Sequence, residues 1–242
     1  MIRSHSLYGA VAAALLGVLC GAGISGCGSS STGPDTGTPS TAPKTGSTYT
    51  MESYNIDSSG NKLGTAVTGD ILVTGTTDYA GKQNVTMFGA GNVLEYLVYE
   101  SNGDVSVFVP SKTQNGVTYR SGWATYPFGG KGEHTLTLFD STYITQGITG
   151  ILKSTWSSKY LGSEEITVGT EKLMTLKVQT ESIAINQFGN AGGAGRTTST
   201  EWYAPSIGYW VRQEGRQYLD VTGAGSQFVF GFRKNLISYS LK

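Results

Sequence analysis

The amino-acid sequence predicts an all-β fold, mainly antiparallel, in which a single curved sheet or half-barrel forms with little helix. Three observations lead to this fold class: a composition that favours strands and turns, apolar side chains at every second position, and turn signals between the apolar runs. Only 14% of the 242 residues are charged, whereas glycine and tyrosine are abundant at 35 and 14 residues. Because β-branched and aromatic side chains fit a pleated surface, this composition favours strands over helices.

The alternation of apolar residues is clearest between residues 93 and 109. Two alternating apolar runs there flank the turn sequence Asn102-Gly103-Asp104, a pattern typical of a β-hairpin. The same period of two recurs in three further runs, at residues 135–139, 174–178 and 228–232. Since successive side chains of a strand point to opposite faces, each run has one apolar face to bury.

Turn signals separate these runs at residues 57–61, 129–132, 189–195 and 223–225. Only the segment 142–160 permits a short helix, because elsewhere the helical period is missing. An antiparallel sheet of many strands must curl, pack on a second sheet or close on itself to protect its edges.

The first 26 residues have the layout of a secretory signal peptide, with Arg3 at the start and an uncharged apolar stretch behind it. The sequence Ile24-Ser25-Gly26-Cys27 that follows resembles the lipobox of bacterial lipoproteins. This resemblance implies that diacylglycerol is attached to the Cys27 thiol and that the chain is cut before Cys27. Gly28 is not the aspartate that retains lipoproteins in the inner membrane. The resemblance therefore implies a lipid-anchored protein of the bacterial cell envelope, at the outer membrane.

Other interpretations of this segment are weaker. The second cysteine, Cys20, follows the bulky Leu19, which does not fit a lipobox. An uncleaved transmembrane anchor is an alternative, although an apolar stretch of about 18 residues is barely long enough to span a bilayer. A disulfide between Cys20 and Cys27 is a second alternative, but Cys20 would be removed from the mature protein with the signal peptide.

A linker of residues 27–48 follows, and a β-rich domain of residues 49–242 completes the expected organisation. Beyond the cysteine, the linker contains glycine, serine, threonine and proline but no large apolar side chain. Such a segment cannot bury enough surface to offset its ordering entropy, so we expect a disordered tether of roughly 25 Å average span.

The last third of the chain carries a second resemblance. The strand-like segment 162–168 and, later, Trp202-Tyr203-Ala204-Pro205-Ser206-Ile207-Gly208 resemble a group of uncharacterised secreted bacterial β-proteins over about 60 residues. Their architecture is similar to the half-barrel of bacterial lipoprotein carriers, which wrap a sheet around an apolar cavity. The resemblance implies a fold and brings no activity with it. Ser206, where the group has glycine, and the bulky Trp210 depart from its pattern without affecting the fold.

Pro205 and Gly208 predict a corner between two strands, since proline cannot donate to a strand ladder and glycine tolerates a positive φ. Aromatic side chains cluster on both sides of this corner: Trp202, Tyr203, Tyr209 and Trp210. Two interpretations stay open. The four rings form the packed core of a strand corner, or they form the wall of a ligand-binding groove.

Composition excludes several function classes. Seventeen basic residues balance seventeen acidic ones, so the basic excess of a nucleic-acid-binding protein is missing. The body of the chain has no cysteine, which excludes a disulfide framework or a cysteine metal site there. We therefore expect no nucleic-acid partner, no metal and no cofactor.

Motifs for catalysis are also missing. His134 is the only histidine after the cleavage site, and no Gly-x-Ser-x-Gly nucleophile elbow accompanies it. Glu164 and Glu165 are adjacent and must point to opposite faces of a strand, so they cannot act as a carboxylate pair. The glycine-rich segments 129–132 and 189–195 lack the helix and the Lys-Ser/Thr end of a phosphate-binding loop. We expect no catalytic residue.

Three hypotheses for function follow. The first is a non-enzymatic envelope protein, anchored in the membrane by its N-terminal lipid, that binds or carries an apolar ligand in the groove of a curved sheet. The second is a structural or accessory envelope lipoprotein that acts through contacts with another protein. The third is a hydrolase whose site no motif reveals.

Overall fold

The computed structural model describes residues 41–114 and 117–242 and contains fourteen strands in that part of the chain. In chain order the strands are β1 Thr48–Ile56, β2 Lys62–Tyr79, β3 Lys82–Ala90, β4 Val93–Tyr99, β5 Val105–Val109, β6 Lys112–Gln114, β7 Val117–Tyr119, β8 Gly122–Tyr126, β9 Glu133–Thr145, β10 Ile148–Val168, β11 Glu171–Phe188, β12 Ala191–Ala204, β13 Tyr209–Val221 and β14 Gly225–Ser240. No helix of the described residues is long and apolar enough to cross a membrane.

Twelve of these strands form one antiparallel sheet, in the order β8-β5-β4-β3-β2-β1-β14-β13-β12-β11-β10-β9. Nearly every strand pairs with its neighbour in sequence, and β1 joins the two halves by pairing with both β2 and β14. The strands β6 and β7 form a separate two-stranded ladder. The predicted all-β, antiparallel fold with a single curved sheet is confirmed.

The sheet curls until its two edge strands meet, which gives a nearly closed barrel. Strand β8 lies against β9, and the backbone N–H of Arg120 donates to the carbonyl of Leu138 at 2.9 Å. The hydroxyl of Ser158 on β10 donates to the carbonyl of Thr125 on β8 at 2.6 Å. Register shifts interrupt several ladders, and such bulges bend strands and increase twist, as closure requires.

The two ends of the barrel differ. We call the end that carries the β12–β13 corner, residues 205–208, the closed end, and the opposite end, with the β1–β2 turn at 57–61, the open end. Large buried side chains fill the closed end. Around the corner, the hydroxyl of Tyr49 donates to the carbonyl of Ile207 at 2.6 Å, and that of Tyr99 donates to the carbonyl of Gly208 at 2.8 Å.

Residues 41–48 belong to the predicted linker, yet in the structure they contact the closed end. Pro43 and Ser47 are buried, and Gly46 donates its N–H to the carbonyl of Val73 at 2.8 Å. Gly208 has a φ of +67°, and a side chain there would collide with the carbonyl of Thr41 and the ring of Pro43. The prediction of disorder rested on side-chain composition, which contains no information about backbone contacts with the neighbouring strands.

Two local predictions can be compared with the structure. The turn signals at 57–61, 102–104, 129–132 and 223–225 all lie at strand connections, as predicted. The predicted turn at 189–195 is too long, because only residues 189–190 connect β11 to β12 and residues 191–195 already belong to β12. The permitted helix in 142–160 is wrong, because this segment forms the hairpin of β9 and β10. Its alternating side chains pair across the two strands, and the turn at Gln146 and Gly147 has positive φ at both residues.

Candidate ligand cavity

The inner face of the barrel surrounds a cavity of about 700 Å³. This volume lies within the range of ligand sites, roughly 300–1,000 Å³. Several strands contribute apolar side chains to its wall, among them Met51, Ile71, Phe88, Val107, Trp156, Phe230 and Phe232. Exposed lining residues such as Leu63, Val67 and Leu94 lie toward the open end, so the mouth of the cavity is there.

Aromatic rings form the floor of the cavity above the core of the closed end. Phe88 and Tyr209 stack with their ring centroids 4.9 Å apart, and Tyr126 lies 4.9 Å from Trp210. Tyr209 and Trp210 are 6.2 Å apart, so the four rings are contiguous. All four line the cavity.

Glu95 on β4 projects into this floor. It pairs in register with Phe88 of β3, and paired residues of neighbouring antiparallel strands share a face. The hydroxyl of Tyr209 donates to Oε2 of Glu95 at 3.0 Å, and this is the one hydrogen bond to the Glu95 side chain from the part of the chain that the structure describes. Burial raises the pKa of Glu95, while the positive charge of Lys234 and the Tyr209 hydroxyl oppose the shift.

Glu201 on β12 is the second carboxyl group at this level, and it is almost fully buried. Gln213 donates to its Oε2 at 2.8 Å, and Thr180 donates to its Oε1 at 3.1 Å. The hydroxyl of Tyr126 makes a longer contact of 3.4 Å to Oε1. Burial raises the pKa of Glu201 in spite of these donors, because desolvation disfavours the charged form.

Two cations also line the cavity. Lys234 on β14 pairs in register with Gln213, which places it on the inner face beside the Glu201 network. Arg120 is exposed. Among the described residues, the charged groups deep in the cavity are therefore two carboxyls and one ammonium.

One side of the cavity wall is polar and built from small hydroxyl residues of β10 to β12, namely Ser154, Thr180, Ser182, Thr197 and Ser199. The hydroxyl of Ser154 is buried and has no hydrogen-bond partner among the described residues. The phenylalanines of β14 lie next to this side, beyond β13. The wall therefore offers hydrogen-bonding groups and apolar contact side by side.

The four aromatic residues predicted around the corner do not act as one wall. Tyr209 and Trp210 line the cavity floor, whereas Tyr203 is completely buried and stacks on Phe128 at 4.7 Å. Trp202 lies on the outer face, where its ring is covered by Lys177 at 5.0 Å and Arg212 at 5.5 Å.

All four rings belong to the buried hydrophobic core, and Tyr209 and Trp210 also line the cavity. Ligand binding by these residues stays a prediction.

The residues considered for catalysis lie apart from the cavity. His134 is half-exposed, with Nε2 3.7 Å from Oδ2 of Asp104. Glu164 accepts a hydrogen bond from Trp202 on the outer face, and Glu165 forms an ion pair with Lys172. Cys27 lies outside the described residues, so lipidation stays a prediction. Within the described ranges, no group of three His, Cys, Asp or Glu side chains is placed to hold a metal ion.

Glu95, Glu201 and Lys234 are cavity residues that the sequence motifs did not predict. The available signal was that Glu95 shares a strand face with Val93 and Leu97, in a seven-residue strand that is otherwise apolar. A carboxylate on the apolar face of a strand is costly unless the fold supplies a partner or a cavity there. This pattern therefore indicates a partner or a cavity beside Glu95.

Comparisons with known proteins found a distant structural likeness. No protein-family model matches the chain. No match to a curated protein was found. Among solved structures, the chain is similar to the hypothetical lipoprotein YmcC from Escherichia coli K12. The two share 12% sequence identity with a TM-score of 0.34, over 82% of this chain and 89% of that one.

Proposed function

We propose that this chain is a lipid-anchored bacterial envelope protein that binds or carries an apolar ligand inside its barrel and catalyses no reaction. The observation that carries this proposal is the cavity of about 700 Å³ with aromatic and aliphatic walls. Burial contributes about 0.8 kcal/mol for each methylene, or roughly 8 kcal/mol for a ten-carbon chain before the cost of ordering it. A single alkyl chain therefore gains enough free energy to bind.

The arrangement of the anchor supports the same proposal. The described chain begins at Thr41, against the closed end, while the cavity opens at the other end. If Cys27 carries the lipid, the thirteen residues 28–40 connect it to Thr41 and reach at most about 45 Å. Such a tether attaches the domain by its closed end and leaves the mouth of the cavity free.

Quenching of tryptophan fluorescence by a brominated alkyl chain tests ligand binding. The full chain, held in a bulky steroid-based detergent that cannot enter the cavity, is titrated with 10-bromodecanol. We expect saturable quenching, because Trp156 and Trp210 line the cavity and bromine quenches an indole on contact. Trp210→Phe should reduce the quenched fraction.

The matched control is Trp202→Phe, which removes a tryptophan from the outer face. This variant should lose total fluorescence but keep the quenching of the cavity tryptophans. Quenching that does not saturate, or that depends equally on Trp202 and Trp210, would contradict binding in the cavity.

The anchor requires a separate test. Cys27→Ala should abolish acylation, retain the leader and change the mass of the protein. The wild-type chain should fractionate with membranes after the leader has been removed. An unchanged mature mass and unchanged processing in the variant would refute the anchor and leave the cavity proposal standing.

One observation favours the second hypothesis, a protein that acts through contacts with another protein. A group of half-buried aromatic side chains lies together at β2, β4, β5 and β8, where Tyr79 stacks on Tyr96 at 4.1 Å and Phe108 contacts both Tyr79 and Trp123. Half-exposed rings of this kind are frequent at protein interfaces. Photo-crosslinking from position 96 in cells should capture one recurrent protein if this hypothesis is correct, and no specific product otherwise.

A further inference from the structure

We propose that the ligand of this cavity is an amphiphile with an apolar chain and an ammonium head group, and that Glu95 and the aromatic floor hold the head. This inference rests on the proposed binding function and adds the chemistry of the head group. It follows from three features of the floor: its charge, its hydrogen-bonding capacity and its rings.

Charge is the first feature. The deep part of the cavity contains the carboxyls of Glu95 and Glu201 and the ammonium of Lys234. Among the described residues Lys234 supplies one positive charge for two carboxyls, and burial disfavours the ionised form of both. A positive head group next to Glu95 stabilises its carboxylate, whereas an anionic head would be repelled by that carboxylate in a site of low dielectric.

Hydrogen bonding is the second feature, and it distinguishes the two carboxyls. Glu201 accepts from Gln213, Thr180 and Tyr126, so its oxygens are used within the protein. Glu95 accepts only from Tyr209, on Oε2, as far as the described residues go. Its Oε1 is therefore the acceptor that the floor leaves for a ligand, and a charged N–H donor is the strongest partner for a carboxylate.

The rings are the third feature. Phe88, Tyr126, Tyr209 and Trp210 form a contiguous aromatic surface beside Glu95, with neighbouring centroids 4.9 to 6.2 Å apart. The faces of aromatic rings attract cations, so these rings favour an ammonium head that Glu95 holds. The apolar wall above this floor, including Phe230 and Phe232, then contacts the chain.

The test compares three ligands with the same ten-carbon chain and different heads: decylammonium, decanol and decanoate. Isothermal titration calorimetry of the full chain gives an affinity for each under identical conditions at pH 7.5. We expect the ammonium ligand to bind at least about tenfold more tightly than the alcohol, and the carboxylate to bind more weakly than both.

Glu95→Gln tests the residue that carries the assignment. Glutamine keeps the shape and the contact with Tyr209 but removes the charge. The affinity for the ammonium ligand should fall to that for the alcohol, while the affinity for the alcohol stays the same. Glu165→Gln, on the exposed pair with Lys172, is the matched control and should change neither affinity.

The outcomes separate this inference from the proposed function. Equal affinity for the three heads, or tightest binding of the carboxylate, would overturn the ammonium assignment and leave apolar binding intact. An absence of measurable binding by all three would overturn both. The comparison of heads in the wild-type chain decides the question even where Glu95→Gln does not fold.

An ammonium head could come from a membrane lipid or from a free amphiphile, and one further measurement distinguishes these sources. Lysophosphatidylethanolamine and lysophosphatidylglycerol of equal chain length are added as competitors of decylammonium. Preferential displacement by the ethanolamine lipid supports a lipid source. No displacement by either lipid, with the ammonium ligand still bound, supports a free ammonium amphiphile. Stronger displacement by the glycerol lipid overturns the assignment.

Discussion

At the scale of single residues, the shape of the cavity depends on a glycine in its wall. Gly215 on β13 is buried and faces the ring of Phe232, which pairs with it in register on β14. A β-carbon at this position would lie 2.5 Å from a ring carbon of Phe232 and 2.6 Å from the hydroxyl oxygen of Ser199. The missing side chain lets the Phe232 ring lie across the strand and complete the wall of the cavity.

We therefore predict that Gly215→Ala destabilises the protein by about 1–3 kcal/mol, because the added methyl group must displace a packed ring. Urea unfolding of the two chains measures this difference. Gly132→Ala is the control, since it is exposed and no neighbouring atom lies closer than 4.0 Å to a β-carbon built there. A Gly215→Ala chain as stable as the wild type would show that the Phe232 ring has room to move.

At the scale of elements, a buried carboxylate connects two turns of the closed end. Oδ1 of Asp104, in the β4–β5 turn, accepts the backbone N–H groups of Gly129 and Gly130 in the β8–β9 connection, at 2.8 and 3.1 Å. Asn102 donates to the other oxygen at 2.9 Å. The β8–β9 connection joins the edge strands that close the barrel. Asp104, in the neighbouring β4–β5 hairpin, therefore holds this connection in place.

Asp104→Ala should destabilise the protein by about 1–3 kcal/mol, because three donors lose their acceptor at once. Thermal unfolding followed by circular dichroism measures the loss. Asp140→Ala is the matched control: Asp140 is exposed and pairs only with exposed Lys153, so its removal should cost less than about 0.5 kcal/mol. Equal effects of the two substitutions would contradict a structural role for the link between the turns.

Elements were also the level at which the sequence was most informative. The alternation from 93 to 109 predicted the β4–β5 hairpin, and Pro205 with Gly208 predicted the β12–β13 corner, because both patterns are local. The same alternation could have predicted that the neighbouring side chains of Trp202 and Tyr203 point to opposite faces of β12. A register shift between these two residues changes the alternation at the corner and brings Trp210 opposite Tyr203, and no local pattern indicates such a shift.

The cavity itself could not be predicted from local patterns. Glu95 and Tyr209 are 114 positions apart, and their hydrogen bond exists only because the sheet curls on itself. Curvature arises from bulges and from the meeting of β8 with β9, which depend on contacts across the whole chain. The sequence therefore predicted the strands and the class of sheet, and left open which face was inside.

At the scale of the whole molecule, the two buried carboxyls should make stability depend on pH. Burial raises the pKa of both Glu95 and Glu201 above their ordinary value near 4.5. The native state then holds these protons more tightly than the unfolded state does. The free energy of unfolding must therefore fall as the pH rises from about 4.5 through the raised pKa values. Asp57 and Asp220 have lowered pKa values, so their contribution to stability is lost only below about pH 3.8 and does not affect this range.

Glu201→Gln isolates one of the two groups. Tyr126, Thr180, Gln213 and the nearby Lys234 surround this side chain, and a neutral amide keeps its size without the desolvated charge. We expect the variant to gain stability relative to the wild type as the pH rises from 4.5 to the raised pKa of Glu201, at up to about 1.4 kcal/mol per pH unit. Urea unfolding at four pH values measures this slope, and Glu165→Gln should follow the wild type. If the stability difference between Glu201→Gln and the wild type stays constant over this range, Glu201 is ionised in the native state throughout, and the electrostatic cost assigned to its burial is wrong.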